Sequence, residues 1–223
     1  FVISRQDPAL HTLTTGVGAL VSGQLGSGGS GPVYTPSDVS GLTSGVAVIS
    51  AGADHSCAVL TDGTAKCWGA DTGGALGNTG GNSNTPVSVV IDGNGVTMTG
   101  FRTISAGNGH TCAAMTTGAL KCWGTNTYGQ LGLGNTTNQA YPADVPTLLG
   151  AVDPGGVGVA ALSAGNNYTC AALNDGTARC WGQNYSGQLG DGNSGSVAAN
   201  STPLPVSGLS SSVVAISASV WDT

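Results

Sequence analysis

One motif occurs three times in this chain at nearly constant spacing, and it limits the fold more than any other feature of the sequence. The copies begin at Ser50, Ser105 and Ser163, and the second copy reads SAGNGHTCAAMTTGALKCWGTNTYGQLGLG. Each copy has two cysteines ten positions apart, with a tryptophan directly after the second cysteine. A repeat of this length indicates similar units packed side by side, each burying its apolar surface against its neighbours.

Two further patterns extend the repeat to about four units. The motif Ile/Leu-Ser-Ala starts at residues 49, 104, 162 and 216. In phase with it, a proline stands three positions before a valine, at Pro36, Pro86, Pro142 and Pro203. We predict one domain over 1–223, with a degraded unit at 1–45, full units at 46–100, 101–158 and 159–212, and the start of a further unit at 213–223. Because Thr223 aligns with Thr111, one position before a repeat cysteine, we expect the chain to be a fragment.

Within each unit the local signals are those of β-strands. In the first full copy, residues 46–50 and 55–60 are apolar runs, residues 61–63 are turn residues, and a third run covers 64–68. A Gly/Asn-rich segment then leads to the Pro-x-x-Val strand, which we expect at a sheet edge because proline cannot donate to a ladder. Residues 213–217 resemble the first run of the other units. Four short strands per unit predict an all-β fold, a β-propeller of four-stranded antiparallel blades.

Turn geometry predicts which cysteines face each other. A three-residue hairpin loop favours a left-handed glycine in its last position, and this position holds Gly63, Gly118 and Gly176. Counting back from the turn places Cys57 opposite Cys67 at a non-hydrogen-bonded site, where the Cα atoms are close enough for a disulfide. The same count pairs Cys112 with Cys122 and Cys170 with Cys180.

Disulfides indicate an oxidising compartment, so we expect the protein to be extracellular, at the cell surface or in the periplasm. Free structural thiols are one alternative. Zinc is another, because His55 lies two residues before Cys57 on the same strand face, and His110 repeats this placement. The third copy has Tyr168 instead and no fourth ligand recurs. The disulfide interpretation is therefore favoured, and no metal or other cofactor is predicted.

The charge of the chain excludes several kinds of partner. With 5 basic and 11 acidic residues, it has too few cations for the phosphate contacts of a typical nucleic-acid-binding protein or for an anionic membrane surface. No apolar run approaches the roughly 18 residues that a membrane helix needs. We therefore predict no nucleic-acid binding and no membrane insertion.

These motifs resemble the repeat of the regulator of chromosome condensation family. The resemblance covers about residues 20–223, and it rests on Ser105-Ala106-Gly107, His110-Thr111, Trp123-Gly124 and Gly129-Gln130-Leu131-Gly132 with their counterparts in the other copies. The cysteine before Trp-Gly resembles bacterial or extracellular members. The resemblance implies a β-propeller, usually seven-bladed, of which this chain holds about four units. Open strand edges would then invite self-association or completion by another segment.

No recurring set of residues predicts catalysis, so we expect no enzymatic activity. His55 and His110 have no recurring acid partner and are predicted to tie adjacent blades together. The repeat tryptophans are predicted to pack the blades, with a sugar-stacking platform as the alternative; they are Trp68, Trp123 and Trp181. Asp-Gly-Asn at 92–94 and 191–193 is predicted to form turns, with calcium binding as the alternative.

Function is predicted to lie where the copies differ, at residues 91–101, 148–160 and 191–201. The favoured hypothesis is a secreted or cell-surface scaffold that binds a protein partner through these rim loops. A carbohydrate-binding or accessory domain of a larger extracellular protein is the alternative. Small-GTPase exchange, known in the resembled family, is disfavoured by the low basic charge and the disulfides. Trp221 lies outside the repeat position of the other tryptophans and is assigned no role.

Overall fold

The computed structural model describes residues 2–5, 13–18, 22–29, 33–148 and 158–219. His11, Trp221 and Thr223 lie outside these ranges, as do residues 149–157 of the variable segment at 148–160. Apart from short 3-10 helices at Thr72–Gly74 and Pro146–Leu148, the regular structure of the described ranges is β-strand. In chain order the strands are β1 (Val2–Arg5), β2 (Leu13–Gly18), β3 (Val33–Asp38), β4 (Val46–Ala51), β5 (His55–Leu60), β6 (Ala65–Gly69), β7 (Ser83–Ser88), β8 (Phe101–Ala106), β9 (His110–Met115), β10 (Leu120–Gly124), β11 (Gln139–Asp144), β12 (Val159–Ala164), β13 (Tyr168–Leu173), β14 (Ala178–Asn184) and β15 (Ser196–Pro205).

The strands form antiparallel sheets in which neighbours in the chain are neighbours in the sheet. We call these sheets blade I (β1–β3), blade II (β4–β7), blade III (β8–β11) and blade IV (β12–β15). Blades II, III and IV each have four strands, which confirms the predicted all-β fold of four-stranded antiparallel blades. The described part of blade I has three strands.

The hairpin at the centre of each four-stranded blade follows from its turn. In blade II, Leu60 N–H donates to the Thr64 carbonyl over 2.8 Å, and Gly63 closes the loop with φ of 79°. Only glycine adopts such a φ without a steric cost. Cys57 therefore pairs directly with Cys67 in the ladder, and the cysteines of blades III and IV pair in the same way.

The hydrophobic core lies between blades rather than inside any one of them. The cluster between blades II and III joins Val59 and Leu76 of blade II to Ile104, Met115 and Trp123 of blade III. A similar cluster joins blades III and IV, and another lies under Trp68 between blade II and the segment that precedes it. Because each blade uses its neighbour to bury its apolar face, the repeat sequence is stable only as a stack.

The first strands of successive blades are tied together by the Ser-Ala-Gly motif. The Ser50 hydroxyl accepts from Ala106 N–H at 2.9 Å, and Ser105 accepts from Ala164 N–H at 2.9 Å. A Cβ atom on Gly107 would lie only 2.6 Å from the carbonyl oxygen of Gly165. The glycine of the motif is therefore required by the close approach of adjacent blades.

Residues 213–217, which the sequence predicts as a first strand, do not form one in this structure. They nevertheless sit against blade IV as a first strand would. Val213 N–H donates to the Gly176 carbonyl, just as Phe101 N–H donates to Gly63. No described residue supplies the second strand that would pair with this segment, so a β-ladder does not form.

The topology gives the stack two opposite faces. We call one the hairpin face; it carries the turns at 61–63, 116–118 and 174–176 and the connections that lead from one blade to the next. We call the other the loop face; it carries the Ser-Ala-Gly loops and the long Gly/Asn-rich loops. The variable segment 91–101 belongs to the hairpin face, as do the described parts of segment 148–160, which are Leu148 and residues 158–160. Segment 191–201 runs from the loop face into β15.

Candidate functional site

The repeated tryptophan and threonine side chains converge on one backbone carbonyl of the preceding blade. Trp123 Nε1 donates to the Ala75 carbonyl oxygen over 2.9 Å, and the Thr111 hydroxyl donates to the same oxygen over 2.8 Å. Trp181 and Thr169 share the Gln130 carbonyl in the same way. In blade II, Trp68 and Ser56 share the carbonyl of Gln24.

The histidines complete this link in the opposite direction. His55 Nε2 lies 2.8 Å from the Thr111 hydroxyl, and His110 Nε2 lies 3.0 Å from the Thr169 hydroxyl. Since each hydroxyl gives its single proton to a carbonyl oxygen, the histidine Nε2 is the donor. We call this set of bonds the inter-blade link. It runs from a histidine in one blade, through a hydroxyl of the next, and back to a carbonyl of the first.

Both histidines are held in the neutral form. Burial lowers the pKa of His55 to about 4. Burial, with a smaller contribution from nearby His55, lowers the pKa of His110 to about 3. In blade IV the corresponding Tyr168 hydroxyl accepts from Ser219 N–H at 3.1 Å. Each histidine is thus buried and engaged by the next blade, which makes it unavailable to an external substrate.

The six repeat cysteines form three disulfides, as the register predicts. Cys57–Cys67 has a Cα–Cα distance of 4.0 Å, and the other two bonds, Cys112–Cys122 and Cys170–Cys180, have distances of 4.1 Å. The zinc alternative requires free thiolates, which disulfide-bonded cysteines do not supply. Within the described ranges, no cluster of three or more His, Cys, Asp or Glu side chains could hold a metal ion.

The tryptophan side chains are fully buried, with 0% exposure at Trp68, Trp123 and Trp181. A sugar-stacking platform needs an accessible ring face, so these three residues cannot form one. An aromatic pair on the loop face is formed instead by half-buried Tyr128 and exposed Tyr185, whose ring centroids are 6.1 Å apart. Sequence reasoning did not single out these tyrosines, because they occupy different positions in their copies.

The Asp-Gly-Asn turns use their carboxylates internally. Asp191 accepts from the backbone and side-chain amides of Asn193 and from Asn184 Nδ2, and these bonds lower its pKa. Asp92 accepts from both amides of Asn94. Amide donors occupy the carboxylate oxygens that a calcium ion would need, so the geometry favours the turn interpretation.

The hairpin face carries the surface features that differ most between blades. In the segment 91–101, Ile91 and Val96 are 51% and 55% exposed and are joined by a backbone hydrogen bond of 2.8 Å. Between blades III and IV lies a cavity of about 360 Å³, lined in part by Arg102, Thr117 and Val159. Sequence reasoning missed Arg102. The signal that could have found it is that the equivalent positions of the other full copies hold alanine.

The family described as "Regulator of chromosome condensation (RCC1) repeat" matches residues 18–59, 118–172 and 175–221. A second profile with the same description matches 46–74, 101–130 and 159–188, which include parts of all three motif copies. The chain belongs to the RCC1 repeat family. The RCC1 profiles thus cover the inter-blade link as well as the cysteine hairpins.

Curated RCC1-repeat relatives are much longer than this chain. It is 32% identical over 181 residues to human E3 ubiquitin-protein ligase HERC2, covering 79% of the chain and 4% of the relative. It is 31% identical over 176 residues to the ultraviolet-B receptor UVR8 of Arabidopsis thaliana, covering 77% of the chain and 37% of the relative.

Solved structures show the same fold. Human WBSCR16 superposes with a TM-score of 0.75 at 22% identity, covering 95% of this chain and 54% of that one. Yeast RCC1 (Prp20), solved bound to Kap60, superposes with a TM-score of 0.70 at 18% identity, covering 92% and 46%. At these identities the likeness extends to the fold alone. Within the described ranges, no helix is long and apolar enough to cross a bilayer.

Proposed function

We propose that this RCC1 chain is a protein-binding scaffold whose contact surface lies on the hairpin face. The observation that carries the proposal is the exposed apolar pair formed by Ile91 and Val96, at 51% and 55% exposure. Single exposed apolar side chains are common, but two held together at the tip of a variable segment form a ready anchor for a partner. The recurring cysteines, tryptophans and histidines are already used within and between blades.

Two further observations support a protein partner. The variable segment 91–101 lies on the same face as the cavity beside Arg102, which residues 158 and 159 of the second variable segment help to line. Among structures of the same fold, yeast Prp20 was solved bound to Kap60, and its binding to Gsp1p and histones was described. The fold is thus compatible with protein binding, and the site on this chain is proposed from its own surface.

We place this function in an oxidising compartment, with the protein secreted, at the cell surface or in the periplasm. The proposal is supported by the three disulfides, each of which closes one blade hairpin. Reducing cytosol does not maintain such bonds in most organisms.

The test is site-specific photo-crosslinking. A benzophenone amino acid is placed at Val96 on the hairpin face or, as a matched control, at exposed Tyr185 on the loop face. Each variant is incubated with extracellular and surface proteins of the source cells and irradiated. We expect a discrete adduct from position 96 and none from position 185. Adducts from position 185 alone, or from neither position, would contradict the proposal.

A second candidate function is self-association through residues 213–219. This segment sits against blade IV without a second strand among the described residues, and Val214 is 88% exposed. Residues 213–217 have the apolar sequence of a first strand but form no ladder in this structure, and such a segment is a template for pairing with another chain. Sedimentation at micromolar concentrations should show association that Val214→Lys abolishes and Tyr34→Lys, at a similarly exposed control position, does not. A monomer at all concentrations would contradict it.

A further inference from the structure

The cavity between blades III and IV has a positively charged wall. Arg102 extends from β8 across to β12, where its guanidinium donates to the Val159 carbonyl and lies 3.5 Å from the Ala160 carbonyl oxygen. Carbonyl oxygens orient the guanidinium but do not neutralise it. Arginine has five N–H donors, so donors remain for a ligand.

Arg102 differs from the other basic side chains that the structure describes. Lys121 forms an ion pair with Asp144 at 2.7 Å. Hydrogen bonds from Thr64 and, to a smaller extent, the charge of Lys66 lower the pKa of Asp62. Hydrogen bonds from Thr177 and, to a smaller extent, the charge of Arg179 lower the pKa of Asp175, so both cations have an aspartate nearby. Arg102 has no carboxylate partner among the described residues, and no described residue that lines the cavity is acidic.

A comparison of the copies shows that two substitutions act together at this interface. Where blade III has Arg102, blade II has Ala47 and blade IV has Ala160. Where blade III has Thr117, the other hairpin turns have Asp62 and Asp175. Relative to the interface between blades II and III, the one between blades III and IV gains one positive charge and loses one negative charge, a difference of +2.

Blade III has Thr117 where the other blades have aspartate, and its turn is held by weaker hydrogen bonds as a result. Asp62 accepts from both the N–H and the hydroxyl of Thr64, at 2.9 and 2.7 Å. Thr117 accepts only from Ala119 N–H, at 3.4 Å. The blade III hairpin therefore lacks the short turn hydrogen bonds of blade II, and the cavity is lined by threonine at the position where blade II has a carboxylate.

We propose that this cavity binds a carboxylate group, supplied by an acidic residue or chain terminus of the protein partner. Arginine offers two parallel N–H donors that match the two oxygens of a carboxylate, and exposed Thr116 is among the polar residues that line the cavity. A volume of about 360 Å³ admits one side chain. The assignment of this carboxylate to a protein partner rests on the proposed function, whereas the existence of a carboxylate site does not.

The test is an NMR titration of the full 223-residue, disulfide-bonded chain labelled with ¹⁵N. The ligands are N-acetyl-glutamate N-methylamide for a side-chain carboxylate, N-acetylglycine for a chain terminus, the matching glutamine compound as a neutral control, and inorganic phosphate. We expect saturable shifts of the Thr116, Thr117 and Gly118 amides with a carboxylate ligand, at a dissociation constant of about 1 mM. The tighter of the two carboxylates identifies the source.

Variants taken from the neighbouring copies supply the controls. Arg102→Ala and Thr117→Asp introduce residues that the equivalent positions already hold, so both are expected to fold, and each should weaken binding at least about tenfold, or 1.4 kcal/mol. The double variant Ala47→Arg with Asp62→Thr should create a second site, read as new shifts at Gly63.

Several results would overturn the inference. These are equal shifts with the glutamine compound, tighter binding of phosphate than of either carboxylate, or unchanged binding by Arg102→Ala. An absence of shifts at about 10 mM ligand, roughly ten times the expected dissociation constant, would also overturn it. Crosslinking from position 96 together with any of these results would leave the proposed function standing without a carboxylate site.

Discussion

His55 in blade II donates to the hydroxyl of Thr111 in blade III over 2.8 Å, and that hydroxyl donates back to the Ala75 carbonyl of blade II. All the atoms of this link are buried from solvent. The two blades are therefore joined by polar bonds whose loss leaves unsatisfied donors in the core, in addition to their apolar contacts.

Replacing Thr111 with valine should test the link. Valine keeps the shape but removes the hydroxyl, so the His55 Nε2–H loses its acceptor, and we expect the free energy of unfolding to fall by about 1–3 kcal/mol. Thr111→Ser is the matched control, because blade II has Ser56 at this position, and it should cost clearly less. Urea denaturation of the disulfide-bonded protein measures both. Equal losses for the two variants would show that the hydroxyl makes no contribution.

Stability should fall as pH decreases from about 6.5 towards 4. The folded-state pKa values of His55 and His110 are about 4 and about 3, against 6.5 for the unfolded chain. The unfolded chain therefore binds protons that the folded chain excludes, and the stabilisation present above pH 6.5 is lost as the pH approaches the folded pKa. Once titration is complete, the loss is on the order of 3 kcal/mol for His55 and 5 kcal/mol for His110.

Urea denaturation between pH 7 and pH 4 measures this effect. His110→Gln, whose amide still offers a donor to Thr169, should be less stable at neutral pH but lose less stability on acidification. Protonation of aspartates whose pKa is lowered, such as Asp62, destabilises the fold only at pH values below this range. Stability that is constant from pH 7 to pH 4 would contradict neutral, buried histidines.

The hairpins were the most predictable part of this fold, because their determinants are local. Gly63 sets the turn, the turn sets the register, and the register brings Cys57 opposite Cys67. The bonds between blades could not be predicted in the same way. That Thr111 reaches the carbonyl of Ala75 depends on how two blades pack, and nothing within a single copy specifies it.

Each disulfide should stabilise its hairpin. A closed loop of this size contributes about 2–3 kcal/mol in the chain-entropy model, so Cys57→Ala with Cys67→Ala should lower the free energy of unfolding by about that amount. Thiol titration of the unfolded protein should find no free thiol before reduction and six afterwards. Six free thiols before reduction would rule out the disulfides.

Asp71→Asn should stabilise the protein at neutral pH. Asp71 accepts from Leu76 N–H at 3.0 Å, as Asn126 does from Leu131 N–H in blade III, but burial raises the pKa of the Asp71 carboxyl. Asn126 Nδ2 also donates to carbonyl oxygens, which a carboxylate cannot do. We expect a gain of about 1 kcal/mol at pH 7.

The gain from Asp71→Asn should shrink as the pH falls. A raised folded pKa means that the wild-type protein recovers stability when Asp71 becomes protonated, whereas asparagine does not titrate. Urea denaturation of both proteins at pH 7 and pH 4 measures how the difference in their free energies of unfolding changes with pH. A gain that is larger at pH 4 would show that the carboxyl is not destabilised by burial.

The site was less predictable than the fold for a physical reason. Ile91 and Val96 lie in a segment without a counterpart in the other copies, so periodicity carried no information about their exposure. Arg102 stands out only when equivalent positions are compared, and its reach to Val159 in the next blade depends on blade packing. Residues that recur in every copy predict the scaffold, whereas residues that differ between copies indicate candidate binding surfaces.

We propose above that a protein partner binds the hairpin face of this RCC1 propeller. The most direct measurement is the affinity for the partner identified by crosslinking, compared between Ile91→Ser with Val96→Ser on the hairpin face and Asn108→Ala with Tyr185→Ser on the loop face. We expect binding to be at least about tenfold weaker for the first pair, since anchors at an interface centre each contribute more than about 1 kcal/mol, and to change little for the second. Unchanged binding by the first pair, or a larger loss with the second, would contradict it.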